Sequence, residues 1–243
     1  MRTIAITGST RGLGFAIARA FVEAGDRVLL HYGHDRRRAS AAVEELESLR
    51  SGAVGDLVEA DLATMGGMER LKTALLKYPD PLDGLVSNAG PFRIEHWTEP
   101  NDEALRHLFH ANLLAPWTLL QAVIPRLRES RGTITCIGQN SIQELRAAPR
   151  WTAYNAAKAG LVVLVRTVAE EEGPFGVRIN LVNPGIIDTG HYGPGFLERM
   201  AGEIPLGRVG QPEEVARTVR WLHSQEASYI SGAVIDVHGG HQQ

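Results

Sequence analysis

Short apolar runs alternate with longer amphipathic segments along the whole chain. The apolar runs are four to six residues long and show little alternation of apolar and polar positions. Strands that are covered on both faces have this pattern. We therefore predict strands at Thr3–Ile6, Arg27–His31, Val54–Glu59, Gly84–Ser87, Thr133–Ile137, Arg178–Val182 and Ala233–Val237.

The segments between these runs have apolar residues three and four positions apart, which is typical of amphipathic helices. We predict helices at Gly12–Ala24, Arg36–Leu49, Gly66–Lys77, Asp102–Leu127, Thr152–Glu171 and Pro212–His223. Alternating strands and helices indicate a parallel sheet with helices on both faces. The predicted fold class is therefore α/β, with a doubly wound parallel sheet of about seven strands in a single domain that spans residues 1–243.

The segment that follows the sixth strand breaks this rhythm. Residues 185–205 contain five glycines and two prolines and have no clean period. Such a segment leaves the carboxyl edge of the sheet, where ligands bind in folds of this kind, and long irregular loops are often functional. We predict a substrate loop near residues 186–205, with a purely structural excursion as the alternative. Its apolar content comes from Ile186, Ile187, His191, Tyr192, Phe196, Leu197 and Met200.

Composition narrows the class of protein. The net charge of −3 and the apolar fraction of 44% suit a globular protein and do not favour a nucleic-acid partner. No apolar stretch reaches the ~18 residues of a membrane helix, so no membrane partner is expected. The chain enters a strand directly, without a signal peptide, and a cytoplasmic location is expected. Its single cysteine, Cys136, lies in an apolar run and is interpreted as a buried, inert thiol.

A glycine-rich turn joins the first strand to the first helix. Its glycines are Gly8, Gly12 and Gly14. Glycine lets the backbone approach a pyrophosphate, and the helix that follows offers free N–H groups and the positive end of its dipole. A tight strand–helix turn would need fewer glycines, so the pattern favours a dinucleotide-binding turn.

The end of the second strand indicates which dinucleotide is bound. Folds that prefer NAD often have an acid at this point for the ribose hydroxyls, whereas this strand ends at His31 and is followed by Tyr32. Arg11 lies in the glycine-rich turn and Arg36 follows the second strand. A guanidinium pairs well with a 2′-phosphate. We therefore predict NADP(H) as cofactor. Asp35 is the residue that argues against it.

Tyr154 and Lys158 are four residues apart on a predicted helix and share one face. An ammonium beside a phenol favours the phenolate and lowers a pKa that starts at about 10. This would make Tyr154 a useful acid near neutral pH. In isolation, the same pair would be interpreted as a solvated surface contact.

Taken together, these segments resemble the short-chain dehydrogenase/reductase family in its single-domain form, which implies a Rossmann fold. The resemblance covers nearly the whole length. The segments that carry it are Thr7–Gly14, Asp61-Leu62, Asn88-Ala89-Gly90, Asn112, Tyr154-x-x-x-Lys158, Asn183-Pro184-Gly185 and the tail from Ser231-Gly232 to Gly239-Gly240.

The resemblance implies roles for these positions. Tyr154 would be the acid/base, Lys158 would bind the nicotinamide ribose and polarise Tyr154, and Asn112 would hold a water of a proton relay. Asp61 would hydrogen-bond the adenine amino group. The implied cofactor contacts are Gly8, Thr10, Arg11, Gly12, Leu13, Gly14, Tyr32, Arg36, Asp61, Leu62, Asn88, Ala89, Gly90, Tyr154, Lys158, Pro184, Gly185, Ile187 and Thr189.

The family's catalytic serine has no unambiguous counterpart. Counting back about thirteen residues from the tyrosine, as the resemblance suggests, gives Ser141. Counting forward along the fifth strand gives Gln139 instead, because this chain is two residues longer between strand and helix. Ser141 is the favoured contact to the substrate, and Gln139 or Asn140 is the alternative.

The implied activity is NADPH-dependent reduction of a carbonyl or C=N group of a small molecule, with Tyr154 as general acid. His31-Tyr32 and Asn88–Phe92 are similar to pteridine reductases, and 3-oxoacyl-carrier-protein reductases share most of the same features. The competing hypothesis is a non-catalytic dinucleotide-binding sensor or assembly subunit, because the serine is displaced.

Two further expectations concern metals and assembly. His107 with His110, and His238 with His241, lack a third ligand nearby, so no metal site is expected. The helices 102–127 and 152–171 carry more small and apolar residues than one sheet face can use. Members of the family commonly pair these helices across a two-fold axis, so a homodimer or homotetramer is expected.

Overall fold

The computed structural model of the protein describes residues 1–190 and 192–241. Within these residues, seven parallel strands form one sheet in the order β3-β2-β1-β4-β5-β6-β7. The strands are β1 (Thr3–Ile6), β2 (Arg27–Tyr32), β3 (Val54–Glu59), β4 (Gly84–Ser87), β5 (Thr133–Ile137), β6 (Arg178–Pro184) and β7 (Val234–Val237). The predicted doubly wound α/β fold is confirmed.

Helices cover both faces of this sheet. In the described residues they are α1 (Gly12–Glu23), α2 (Arg36–Leu49), α3 (Met65–Lys77), α4 (Asp102–Phe109), α5 (Ala115–Ser130), α6 (Thr152–Glu172), α7 (Pro194–Glu203) and α8 (Pro212–Leu222). One core layer contains Leu119 and Leu161, and the other contains Phe21 and Val219. Because apolar side chains meet the strands on both sides, the strands can be short and almost uniformly apolar.

The sheet changes direction between β1 and β4. Strand β1 pairs with β2 on one side and with β4 on the other. A crevice opens at the carboxyl ends of the strands at such a switch point, and ligands of this fold class bind there. The turns after β1 and β4 are therefore where the functional site is expected.

The predicted long helix 102–127 is wrong in one respect. It is interrupted between α4 and α5 by a π-helical turn, His110–Leu114, which contains Asn112. Pro116 has no N–H to donate to the carbonyl four residues earlier, so a regular α-helical ladder cannot continue through this turn. The spacing of apolar residues on both sides is that of a continuous helix, so the sequence does not show that the π turn contains one residue more than an α-helical turn. Single π turns of this kind are frequent at functional sites.

The segment near residues 186–205 is more regular than the sequence predicted. It contains α7, which begins at Pro194, and Ile187 is buried and pairs with Gly210 in an isolated bridge. The sequence predicted no helix here because glycine and proline usually mark turns. Proline at the first helical position is, however, compatible with a helix. His191 lies outside the described residues. No described helix has the length and apolarity needed to cross a membrane.

Candidate active site

The glycine-rich turn after β1 needs its glycines. Gly8 and Gly12 have φ values of +62° and +51°, in the left-handed region. A Cβ on Gly14 would lie only 2.0 Å from the carbonyl oxygen of Gly8. The turn is therefore folded against the first residues of α1 more closely than any other residue at position 14 would allow.

Helix α1 presents an open N-terminus to the crevice. Among the described residues, no side chain caps α1, whereas α2, α3 and α4 are capped by the side chains of Asp35, Thr64 and Asn101. Uncapped N–H groups and the positive end of the helix dipole together form a site for an anion. The exposed Arg11 lies at the N-cap position of α1. Of the other turn residues, Thr10 is buried and Leu13 packs against the core.

His31 holds the turn to the neighbouring strands. The backbone N–H of Gly8 donates to His31 Nδ1 (2.9 Å), and His31 Nε2 lies 2.8 Å from the carbonyl oxygen of Ala60. The Ser9 N–H also donates to the His31 carbonyl. Burial lowers the pKa of His31 to about 4, so the ring is neutral and Nε2 carries the proton that Ala60 accepts. Sequence reasoning missed this role, although a histidine in an apolar strand was its signal.

We expect the protein to lose stability below about pH 6.5 because of two buried neutral histidines. Burial lowers the pKa of His31 to about 4 and that of His223 to about 3. The unfolded chain binds protons on these rings at higher pH than the folded chain does, so acid favours unfolding. As the pH falls from the unfolded to the folded pKa of a ring, that ring should lower the free energy of unfolding by about 1.4 kcal/mol per pH unit.

Urea unfolding at pH 5, 6, 7 and 8 would check this. The free energy of unfolding should fall from pH 7 to pH 5, and His223→Leu should remove part of that slope. His107→Gln, at an exposed position, should leave the slope unchanged. A stability that stays constant between pH 7 and pH 5 would contradict the assignment of both rings as neutral.

Two exposed arginine side chains lie near the end of β2. Arg11 and Arg36 are exposed, and neither forms an ion pair with any residue in the described part of the chain. The carboxylate of Asp35 instead caps α2 by accepting from the N–H of Arg38 (3.0 Å). The buried Tyr32 hydroxyl donates to Glu59 (2.8 Å). Asp35, the residue that argued against NADP(H), therefore has a structural role as the cap of α2.

The ends of β3 and β4 lie on the same edge of the sheet as the turn, with β4 beside β1 and β3 beside β2. Asp61 Oδ1 accepts from the N–H of Ala63 (3.0 Å), Asp61 Oδ2 lies 3.6 Å from His34 Nε2, and Leu62 is buried beside it. Asn88 Nδ2 donates to the carbonyls of Thr7 and Gly8. The N–H groups of Asn88 and Ala89 both donate to Thr7 Oγ1 at 2.9 Å. These bonds fix the turn after β4 to the glycine-rich turn.

Asn112 and Lys158 converge on Gly90. Lys158 Nζ donates to the carbonyl of Ile137 at 2.8 Å, and burial lowers the pKa of Lys158 to about 8. A Cβ on Gly90 would lie 2.2 Å from Asn112 Oδ1 and 3.7 Å from Lys158 Nζ. Asn112 Nδ2 is bonded to two carbonyls, but the buried Oδ1 has no partner among the described residues. A buried unpaired oxygen near an ammonium is suited to hold a water molecule.

Tyr154 lies in the first turn of α6. Lys158 Nζ is 5.6 Å from the centre of its ring, and the Phe92 ring packs edge-on at 5.0 Å. Burial raises the pKa of Tyr154 above its ordinary value, and Tyr192 raises it further. The lowering of this pKa that was expected from Lys158 is not seen, and the largest effect is burial, which disfavours the charged phenolate. Tyr154 is thus protonated and able to donate.

The loop after β5 positions the three candidates for the serine role differently. Ser141 is buried, and its Oγ donates to Asn140 Oδ1 at 3.2 Å. Asn140 Nδ2 in turn donates to the carbonyl of His241 in the tail. Gln139 is half-buried and lies two residues after Ile137, whose carbonyl binds Lys158. The Asn140 side chain is therefore bonded to the C-terminal tail, and the Ser141 hydroxyl is bonded to Asn140.

The segment after β6 approaches the glycine-rich turn. A Cβ on Gly12 would lie 3.4 Å from Thr189 Cβ. Pro184 ends β6, and a Cβ on Gly185 would lie 2.7 Å from His238 Cα, so strand and tail pack closely here. Ile187 is buried. The glycine-rich turn, which was predicted to hold the pyrophosphate, and the segment after β6, which the resemblance implied as a cofactor contact, are thus neighbours in space.

Comparison with known sequences decides the family. The chain matches, over residues 8–242, the family described as enoyl-(acyl-carrier-protein) reductase. The chain belongs to the short-chain dehydrogenase/reductase family. In the described part of the chain, no group of three or more His, Cys, Asp or Glu side chains is arranged to hold a metal ion.

Relatives within the family are similar over nearly their whole length. The chain is 33% identical to the L-rhamnose 1-dehydrogenase (NAD(P)(+)) of Azotobacter vinelandii, with 98% of this chain and 96% of the relative covered. It is also 33% identical to the 3-oxoacyl-[acyl-carrier-protein] reductase of Chlamydia trachomatis, with the same coverage. These two relatives act on different substrates, so membership of the family does not identify the substrate.

A solved structure is also similar. It is an NADPH-bound short chain oxidoreductase from Pseudomonas aeruginosa PAO1, which is described as containing an atypical catalytic center. The TM-score is 0.89 at 27% identity, and the match covers 100% of this chain and 97% of that one. The family fold therefore extends along the whole chain.

Proposed function

We propose that this oxidoreductase uses NADPH to reduce a carbonyl or C=N group of a small molecule, with Tyr154 as general acid. The observation that carries the proposal is the convergence of Tyr154, Lys158 and the unpaired Asn112 Oδ1 beside Gly90. A protein that only bound a dinucleotide would not need a buried lysine, a protonated tyrosine and a water site in one place.

The residues present fit the cofactor. The uncapped N-terminus of α1 would hold the pyrophosphate, Arg11 and Arg36 would pair with the 2′-phosphate, and Asp61 would accept from the adenine amino group. The other contacts proposed for it are Gly8, Thr10, Gly12, Leu13, Gly14, Tyr32, Leu62, Asn88, Ala89, Gly90, Tyr154, Lys158, Pro184, Gly185, Ile187 and Thr189. When bound, the cofactor supplies the hydride.

The chain's own residues then handle the proton. The Tyr154 hydroxyl donates to the developing oxyanion of the substrate. The Lys158 ammonium stabilises the phenolate that remains, because their opposite charges attract in a site removed from water. A water held by Asn112 Oδ1 would return a proton through Lys158. The aromatic side chains of Phe92, Trp151 and Tyr192 border this position, so we propose a substrate with an apolar body.

Gln139, the alternative to Ser141, is the side chain that we propose for the second contact to the substrate oxygen, because it lies two residues after Ile137, whose carbonyl binds Lys158. The Ser141 hydroxyl is buried against Asn140, and the Ser141 φ of +52° holds the loop in the left-handed region. An amide N–H can donate to an oxyanion as a hydroxyl can. The neighbour from P. aeruginosa is described as containing an atypical catalytic center, so similar structures include departures from the usual set.

We expect NADPH to bind at least tenfold more tightly than NADH, which corresponds to about 1.4 kcal/mol. The reason is that the guanidinium groups of Arg11 and Arg36 would pair with the 2′-phosphate, which NADH lacks. Fluorescence titration of both cofactors measures the ratio. Arg11→Ala should narrow it, whereas Arg19→Ala, on the same helix and paired with Glu23, should not. Equal dissociation constants in the unmodified protein would refute this preference.

We propose a homodimer built on α5 and α6, or a homotetramer that adds a second interface at β7. Trp117 and Val163, on these two helices, are exposed by 46% and 67%. Exposed apolar side chains on both helices favour an interface. Light scattering at micromolar concentration should give a multiple of 26.5 kDa. Trp117→Glu should lower the mass, and Leu49→Glu, at an exposed position at the end of α2, should not. A monomeric unmodified protein would contradict the proposal.

The alternative function is a dinucleotide-binding sensor or assembly subunit. The buried hydroxyl of Ser141 favours it, because no serine side chain is then available for the family's usual role. Consumption of NADPH with a panel of diketones and quinones separates the two functions. Turnover of any member supports the reductase, and tight NADPH binding without consumption across the panel supports the sensor.

A further inference from the structure

The loop after β5 is held in a conformation that its own residues do not favour. Ser141 and Leu145 have φ values of +52°, although neither is glycine. Left-handed conformations are unfavourable for such residues and persist only where the surroundings impose them. This loop carries Gln139, so whatever imposes its shape also determines where that amide lies.

A closed ring of hydrogen bonds holds the loop to β6 and β7. Gln143 Nε2 donates to Asp236 Oδ2 (2.6 Å), and Asn183 Nδ2 donates to both Gln143 Oε1 and Asp236 Oδ1 (2.9 Å each). The N–H of Ser141 also donates to Asp236 Oδ1 (3.3 Å). Asp236 is on β7 and Asn183 is on β6, so the ring joins two strands to the loop.

The chemistry of the ring requires these residue types. A carboxylate only accepts hydrogen bonds, and Asp236 receives three of them. The amide of Gln143 must therefore turn its NH₂ group to Asp236 and its oxygen to Asn183. Bonds to a partly buried carboxylate are stronger than neutral ones and act cooperatively. Exchange of the carboxylate of Asp236 for an amide, or of the amide of Gln143 for a carboxylate, leaves a donor facing a donor or an acceptor facing an acceptor.

We propose that Asp236 is a positioning residue for the reduction and acts through Gln143 and the loop to place Gln139 against the substrate oxygen. This inference rests on the proposed function. Asp236 itself touches neither substrate nor cofactor in this account. Its effect should therefore fall on turnover, while NADPH binding, which uses the glycine-rich turn and the end of β2, should be spared.

A charge-swapped pair tests the proposal. Asp236→Asn places an NH₂ group against the NH₂ group of Gln143, and Gln143→Glu places two carboxylates against each other. Together they rebuild the ring with the same number of donors and acceptors, because the new amide donates to the new carboxylate. Each single variant should lower kcat on the order of tenfold, and the double variant should recover to within about threefold of the unmodified enzyme.

The readouts separate positioning from general damage. The dissociation constant for NADPH should change by less than about twofold, each variant should stay folded at the assay temperature, and the exposed control Gln225→Glu should keep full activity. Full kcat in the single variants, a double variant slower than both, or parallel losses of kcat, NADPH binding and folding would each overturn the positioning role. An unmodified protein that consumes no NADPH would instead refute the proposed function, and the positioning role with it.

Discussion

Replacement of Tyr154 by phenylalanine should lower turnover by roughly 10² to 10⁴, the usual contribution of a positioned acid. Only one hydroxyl is lost, and the Phe92 ring packs on the ring that remains, so the fold and NADPH binding should be retained. Steady-state kinetics on an accepted carbonyl compound, with NADPH titration and thermal unfolding alongside, measure all three.

Lys158→Ala distinguishes the two roles proposed for the lysine. It should lower turnover and also weaken NADPH binding, because the ammonium would contact the nicotinamide ribose as well as support the phenolate. Tyr154→Phe should affect turnover alone. If Tyr154→Phe retains the rate of the unmodified enzyme on a confirmed substrate, Tyr154 is not the acid and the mechanism fails.

Gln139→Ala should cost on the order of 10²-fold in kcat as a lost oxyanion donor, while Ser141→Ala should be nearly silent. The Ser141 hydroxyl is buried and bonded to Asn140, so its removal takes away no group that faces the substrate. Both substitutions are small, and both lie in the same loop, so each serves as the control for the other.

The opposite pattern would return the serine to its usual role. A loss on the order of 10² in Ser141→Ala with an active Gln139→Ala would mean that the loop turns Ser141 inward when substrate binds. Similar losses in both variants would mean that two donors share the oxyanion. Either result leaves Tyr154 as the acid but contradicts the placement proposed for Gln139.

The architecture follows from patterns that are local in sequence. Strands such as β4 and β5 are short and apolar because both faces are buried, and that requirement shows directly in the residues. The glycine-rich turn is equally visible, because positive φ values at Gly8 and Gly12 exclude most other residues. Family membership follows from several such segments in the correct order.

The features that sequence reasoning missed depend on residues that are distant in the chain. The contact of His31 with Gly8 and Ala60 is visible only when three strand ends meet, and the same holds for Asp236 with Gln143. The pKa of Tyr154 was expected to fall because Lys158 is near in sequence. It rises because burial, which the spacing of two residues does not determine, has the larger effect.

Transfer of deuterium from the cofactor tests the central claim most directly. The protein would be incubated with a reactive diketone and NADPH that carries deuterium at both C4 positions, and the product analysed by mass spectrometry and NMR. One deuterium should appear on the new carbinol carbon for each NADPH consumed, and the rate of this transfer should fall by roughly 10² to 10⁴ in Tyr154→Phe. Tight binding of NADPH without any consumption or deuterium transfer across the panel of carbonyl compounds would contradict it.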